Sequence, residues 1–260
     1  MYKFMIIILL GLLVIMTGCS GEEAVGIDKT PPSKPNIFSH IGDTGDGWVA
    51  VPTLTDSIFV NDQNNGIDAV PTGNKIRIHW DHMLDKDLKL IRIFRFALGY
   101  QPVKIDSIAP NNEEYEDELS NIGDLPALET MWHYYIQAVD HAGNKTTSDT
   151  VSYRLIEKAS LIYPQDNAQL MNSNITFSWY KLRDVEKFRL IIFDSYQQYV
   201  WHRDLDVALE ENIIELNYNG ENSLPSGTYY WRVDAFRDRI DGGTLFYSGS
   251  ESSERKFVIE

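Results

Sequence analysis

The sequence predicts an all-β protein: two tandem antiparallel β-sandwiches behind an export leader. Past residue 18 no segment holds a convincing helical period. The chain instead alternates short runs of β-branched and aromatic residues with Gly, Pro, Asn and Asp. Two strand pairs recur in the same order at intervals of 99 and 97 residues, which points to duplication of a whole domain. The chain begins with one lysine ahead of an unbroken apolar run, the pattern of an export signal.

Composition sets the outer bounds. Of 260 residues, 43% are apolar and 23% charged, which is ordinary for a globular chain and excludes a disordered or collagen-like one. Lys plus Arg number 23 against 38 Asp plus Glu, a net charge of −15. Such a chain has no counterion-release drive toward phosphate backbones, and nucleic acid is excluded as a partner class.

In the leader, Lys3 precedes the thirteen largely apolar residues Phe4 to Met16, followed by Thr17-Gly18-Cys19. Thirteen residues fall short of the ~20 that a membrane span needs. Small residues ahead of a lone cysteine resemble the lipobox of bacterial lipoproteins, with Met16 standing where Leu is more usual. The resemblance implies cleavage after residue 18, a diacylglycerol thioether on Cys19 and acylation of the new amino terminus. The membrane is then a partner through several acyl chains, each buried methylene contributing ~0.8 kcal/mol. Ser20, where Asp would imply inner-membrane retention, implies the outer membrane. Cys19 is the only cysteine, and once acylated it leaves no thiol for a disulfide, a zinc site or a nucleophile. Residues 1–18 read as a signal peptide and 19–29 as a tether.

The first sandwich is expected over residues 30–156. Lys75-Ile76-Arg77-Ile78-His79-Trp80 alternates, with Ile76, Ile78 and Trp80 on one face. Leu88 to Ala97 supplies the next strand, and Trp132, Tyr134, Ile136 and Ala138 line a later one. The stretch 42–73 reads as an insertion between the first two core strands, with a small hairpin through Ser57 to Val60. The second sandwich is expected over residues 157–260. Its counterparts are Ile175, Phe177 and Trp179, then Phe188 to Asp194, then Tyr229, Trp231, Val233 and Ala235. The junction Glu157-Lys158-Ala159-Ser160 is short and lacks Gly and Pro, so restricted motion is expected there.

Several of these runs resemble fibronectin type III modules. Thr30-Pro31-Pro32-Ser33-Lys34-Pro35 is similar to their entry, Asp87 to Arg95 to their third strand, and Ala138 to Asn144 to the end of their sixth strand and its turn. Leu224 to Val233 resembles their corner-and-strand pattern. The resemblance implies that the Tyr229 hydroxyl bonds back to the corner backbone, as in immunoglobulin-like sandwiches. Trp132 occupies that place in the first copy, where the same bond is not expected.

Candidate chemistry is sparse. His79 and Asp81 share a strand face and His82 opposes them, so this cluster does not converge as a metal site without a bulge. Asp62, Asn64 and Gly66 partly match a calcium loop, but Gly73 stands where the bidentate Glu belongs. No metal or cofactor is therefore assigned. No nucleophile elbow, phosphate loop or dinucleotide fingerprint is present, and no enzymatic activity is expected. The acid-rich run Asn111 to Glu118 reads as a solvated loop. Two aromatics are candidates for ligand binding: Trp48 in the insertion, and Trp201 beside Tyr196 and Tyr199. For Trp201 the competing reading is a core-facing position shared with Tyr199, since the two are two residues apart. The function expected is a non-enzymatic binding or structural module held in the cell envelope by Cys19, with the 42–73 insertion carrying specificity. Its unidentified partner is a protein or a glycan; the alternatives are a carbohydrate-binding accessory protein and a component of an envelope assembly.

Overall fold

The computed structural model describes residues 28–38, 43–45, 48–49, 63–64, 67–119, 125–171, 174–185, 187–207, 212–220, 222–237, 239–241 and 244–260. Strands are the only regular elements among them. The chain divides into two compact units, Met1–Thr30 and Pro31–Glu260. Of the first unit, residues 28–30 are described, and there the Asp28 carboxylate accepts a hydrogen bond from Thr30 N at 2.9 Å. Signal peptide, tether and Cys19 otherwise lie outside the described residues.

The second unit holds both sandwiches. Three short strands, β1 (Asp43–Gly45), β2 (Trp48–Val49) and β3 (Gln63–Asn64), pair with one another. The first sandwich continues with β4 (Asp68–Ala69), β5 (Lys75–His79), β6 (Leu88–Ala97), β7 (Val103–Ile108), β8 (Glu114–Glu118), β9 (Met131–Asp140), β10 (Lys145–Thr147) and β11 (Val151–Leu155). One sheet has the order β4-β5-β8, and the facing sheet runs β7-β6-β9-β11. Ile76, Ile78, Trp80, Ile91, Ile93, Trp132, Tyr134 and Ile136 are buried between them, as the period-two alternation expects.

The second sandwich comprises β12 (Ser160–Tyr163), β13 (Ala168–Leu170), β14 (Thr176–Tyr180), β15 (Lys187–Asp194), β16 (Tyr199–Asp206), β17 (Ile213–Asn217), β18 (Gly227–Phe236), β19 (Arg239–Asp241), β20 (Thr244–Glu251) and β21 (Arg255–Ile259). Here β12-β14-β17 faces a sheet in which β15 joins β16 to β18, and β18 joins β20 and β21. Phe177, Trp179, Trp231 and Phe257 fill the core. The Tyr229 hydroxyl donates to Pro225 O at 2.9 Å. The protein is thus all-β, with two fibronectin type III-like antiparallel sandwiches in tandem.

Four local expectations are corrected. The run Asn111–Glu118 is not all solvated loop: Glu114–Glu118 is β8, and Asp117 is buried. Trp132 does make a corner bond, its indole N–H donating to Ala127 O at 3.1 Å; the indole N–H replaces the phenol as donor, and the acceptor lies five residues upstream instead of four. The excursion does not sit between the first two core strands. Phe38 N bonds His79 O and Ile37 bridges Trp80, while Asp68 and Ala69 pair with Arg77 and Ile76 of the same β5. The chain thus pairs with β5 through Ile37 and Phe38 and again through Asp68 and Ala69, and Ile67, Ala69 and Val70 are buried framework. The small hairpin expected through Ser57 to Val60 lies outside the described residues. Finally, a bulge in the β15–β16 register breaks the period between Tyr199 and Trp201. Val200 and Trp201 pack on the core, while Tyr199 is 39% exposed.

The two sandwiches share a sheet. β11 runs parallel to β20, with Leu155 opposite Gly249, and Gly249 lies opposite Phe236 of β18. Leu155 points into the first core, and Phe236 lies in that core too. Val233 and Ala235, on the alternate register of β18, lie in the second core. One continuous sheet therefore exchanges its buried side at the seam. Ile156 N bonds Gly249 O at 3.0 Å, Ser250 Oγ donates to Glu157 O at 2.7 Å, and Lys158 Nζ donates to Val70 O and Pro71 O at 2.6 and 2.9 Å. Arg237 pairs with Glu129 across the same seam.

Candidate functional site

The side of β18 turned from the second core carries charges that are almost fully buried. Arg232 reaches Asp234 at 3.0 Å and Glu251 at 3.1 Å, and on neighbouring β15 the buried Arg189 reaches the half-exposed Asp204 of β16 at 2.6 Å. Lys158 joins this group. Burial pushes its ammonium down to about 8, against the pull of Glu251 and Asp234. Each described cation here holds a carboxylate or carbonyl partner, so the cluster is seam structure.

A second buried polar group crosses the first sandwich. Arg95 of β6 pairs with Asp117 of β8, the Tyr134 hydroxyl donates to the same carboxylate at 2.8 Å, and the guanidinium lies 5.1 Å from the Trp132 ring centroid. Burial raises the Asp117 carboxyl against the pull of Arg95 and Tyr134. Burial likewise holds the Tyr134 hydroxyl well above its ordinary value and pushes Tyr115 up to about 12.

The surface that stands out is the outer face of β7-β6-β9-β11. Because Ile91, Ile93 and Arg95 face inward, alternation turns Arg92, Phe94 and Phe96 outward. The β6–β9 register sets them against Gln137, Tyr135 and His133. Phe94 and Tyr135 stack at 4.7 Å and 11°, and Phe96 and His133 at 4.9 Å and 23°. Beneath, His133 Nδ1 and Ser152 Oγ lie 2.6 Å apart, and Arg92 donates to Gln137 Oε1 at 3.2 Å. Burial holds His133 below the ordinary histidine value and Tyr135 above that of a free tyrosine. The apolar strip runs on into the β6–β7 turn, where Leu98 is 88% and Tyr100 59% exposed. Lys104 of β7 lies opposite Phe94, and Ser107 opposite Arg92. Among the described outward positions of these strands there is no Asp or Glu.

Of the residues singled out from sequence, Cys19 lies outside the described residues. Trp48 falls in β2 and Asn64 in β3 with their side chains outside them, and Asp62 and Gly66 of the calcium-like run lie outside them altogether. Trp201 is half-buried and packs edge-on against Tyr218 at 5.1 Å beside the second core. His79 and His82 do not converge: His79 faces Glu114 at 3.3 Å and His82 faces Glu113 at 2.8 Å. The outer face was missed because Leu88–Ala97 is apolar on both registers. Its signal was present all the same, in aromatics on the two cross-strand positions opposite each other.

No protein-family model matches the chain, and no curated protein matches it. Solved structures do. The FN1–FN3 domains of chicken CNTN1 align at 14% identity over 89% of this chain and 69% of that one, with a TM-score of 0.37. A chicken interferon gamma receptor alpha chain aligns at 13% identity over 75% and 96%, at 0.27. Pectate lyase Pel3 from Pectobacterium carotovorum aligns at 14% identity over 40% and 30%, at 0.26. At these scores the likenesses carry no argument about what the chain binds.

Proposed function

We propose that the protein is a non-enzymatic lipoprotein of the cell envelope, held at the membrane, outer where the cell has one, by acyl chains on Cys19, and that its sandwiches serve as a rigid binding module. The observation that carries the binding role is the outer face of the first sandwich, aromatic and cationic on a chain of net charge −15. Tyr, Phe, Met and Arg with few carboxylates is the composition of surfaces that bind, whereas sheet faces turned to water are ordinarily polar. The membrane role rests on the leader and on the lone cysteine. A second reading, a structural spacer, is favoured by the shared β11–β20 sheet, which ties the sandwiches through backbone as well as side chains.

Metabolic labelling with radioactive palmitate tests the anchor. Label is expected in the wild type and absent from Cys19→Ser; label in neither removes the lipoprotein reading. Turnover of any substrate that disappears on replacing one carboxylate would remove the non-enzymatic one.

A further inference from the structure

We infer that the outer face of β7-β6-β9-β11 is a docking surface for a linear anionic polysaccharide of uronic-acid type; this deepens the binding role above and rests on it. Each ring of such a polymer offers a flat C–H face and one carboxylate. The face offers matching groups in a row. From Phe94 to Leu98, outward side chains recur every second residue, so the strip spans about 13 Å along one strand, and Tyr100 adds an exposed ring at its open end. The Phe94–Tyr135 and Phe96–His133 pairs are already stacked on one another. Their rotamers are thereby set before any ligand arrives, and little ordering entropy remains to be lost on docking.

The cations flank that row. Arg92 donates to a neutral amide, Gln137, and among the described residues neither Arg92 nor Lys104 has a carboxylate partner. Elsewhere in the chain, described arginines such as Arg77, Arg95, Arg189, Arg232 and Arg237 are paired with acids. Charge complementarity therefore calls for carboxylates supplied from outside. A second copy docking through the same face is disfavoured as their source, because that face carries no Asp or Glu among its described outward positions.

The test uses the full chain solubilised in detergent, in affinity electrophoresis through polygalacturonate, alginate and the neutral polymer dextran. Both uronate polymers are expected to retard it and dextran is not, with retardation weakening as salt is raised and the Debye length shortens. Arg92→Gln with Lys104→Gln is expected to weaken retardation about tenfold or more, and exposed Tyr100→Ala several-fold, with thermal midpoints unchanged. No retardation by either uronate, equal retardation by dextran, or an unaltered Arg92→Gln/Lys104→Gln variant overturns the proposal. A photo-crosslinker at position 104 in intact cells separates the two levels of failure. A discrete protein adduct without uronate retardation reassigns the face to a protein and leaves the binding role standing. Neither adduct nor retardation removes the binding role as well.

Discussion

Arg95 and Asp117 occupy core positions that a sandwich ordinarily fills with apolar side chains, and they join strands of opposite sheets. Two charges taken out of water repay their desolvation only when both are paired. Arg95→Met, leaving Asp117 buried, is expected to cost about 3–5 kcal/mol by urea unfolding, and adding Asp117→Leu should restore much of that. A double variant as unstable as the single one would show that the polar group contributes stability beyond mutual compensation. Single residues also explain where reading ahead of the structure went astray. High acid content made Asn111–Glu118 look solvated, yet Glu114, Glu116 and Glu118 face His79, Arg77 and Lys75 across the β5–β8 register. Only the alternate residues, Tyr115 and Asp117, turn toward the core. The charge order of the two strands was legible; that one carboxylate would be taken inside was not, because its partner lies 22 positions away on another sheet.

At the scale of elements, the β5–β8 ladder makes stability depend on acid. The Arg77 hydrogen bond holds Glu116 below the usual carboxylate range, and burial holds His79 below the usual histidine value. In both cases the folded state binds its proton less readily than the unfolded chain, so the contribution is present at higher pH and lost on acidification. The loss is expected to begin near about pH 6.5 for His79 and about pH 4.3 for Glu116. Thermal midpoints followed from pH 7 to 3 should fall through both windows, and Arg77→Met should flatten the lower one. A midpoint indifferent to pH would contradict the ladder's role. The seam between β11 and β20 has a steric requirement too. A Cβ on Gly249 would stand 2.5 Å from the Tyr153 hydroxyl and 3.0 Å from Ala235 O. Overpacking of this kind costs about 1–3 kcal/mol, so Gly249→Ala should destabilise by that amount. Tyr153→Phe in the same chain should recover part of it, while no recovery would place the clash with the Ala235 carbonyl.

At the scale of the whole molecule, the shared sheet makes each sandwich depend on the other. Phe236 is contributed by β18 of the second sandwich yet buried in the first core. Phe236→Ala is expected to cost about 3–5 kcal/mol and to lower the unfolding midpoint reported by probes in either sandwich. Two well-separated transitions in the wild type would contradict this coupling. The strands carrying Ile76, Ile78 and Trp80, those carrying Phe177 and Trp179, and the duplicated Trp132 and Trp231 strands could be read ahead of the structure. Their signal is a period of two along the chain, which is local and survives without knowledge of neighbours. The Tyr229 corner was legible for the same reason, since donor and acceptor are four residues apart. By itself, then, the sequence determined the strand-built class, the duplication and the core-facing register of the strands that carry Trp80, Trp132, Trp179 and Trp231. Only the tertiary structure decided that one sheet would change its buried side at Leu155 and Gly249, and that a bulge would leave Tyr199 outside while Trp201 turned inward. It also decided that the aromatics of β6 and β9 would meet on an open face. Each of those outcomes depends on which distant strand lies alongside, a choice made by long-range pairing and packing that no local pattern encodes.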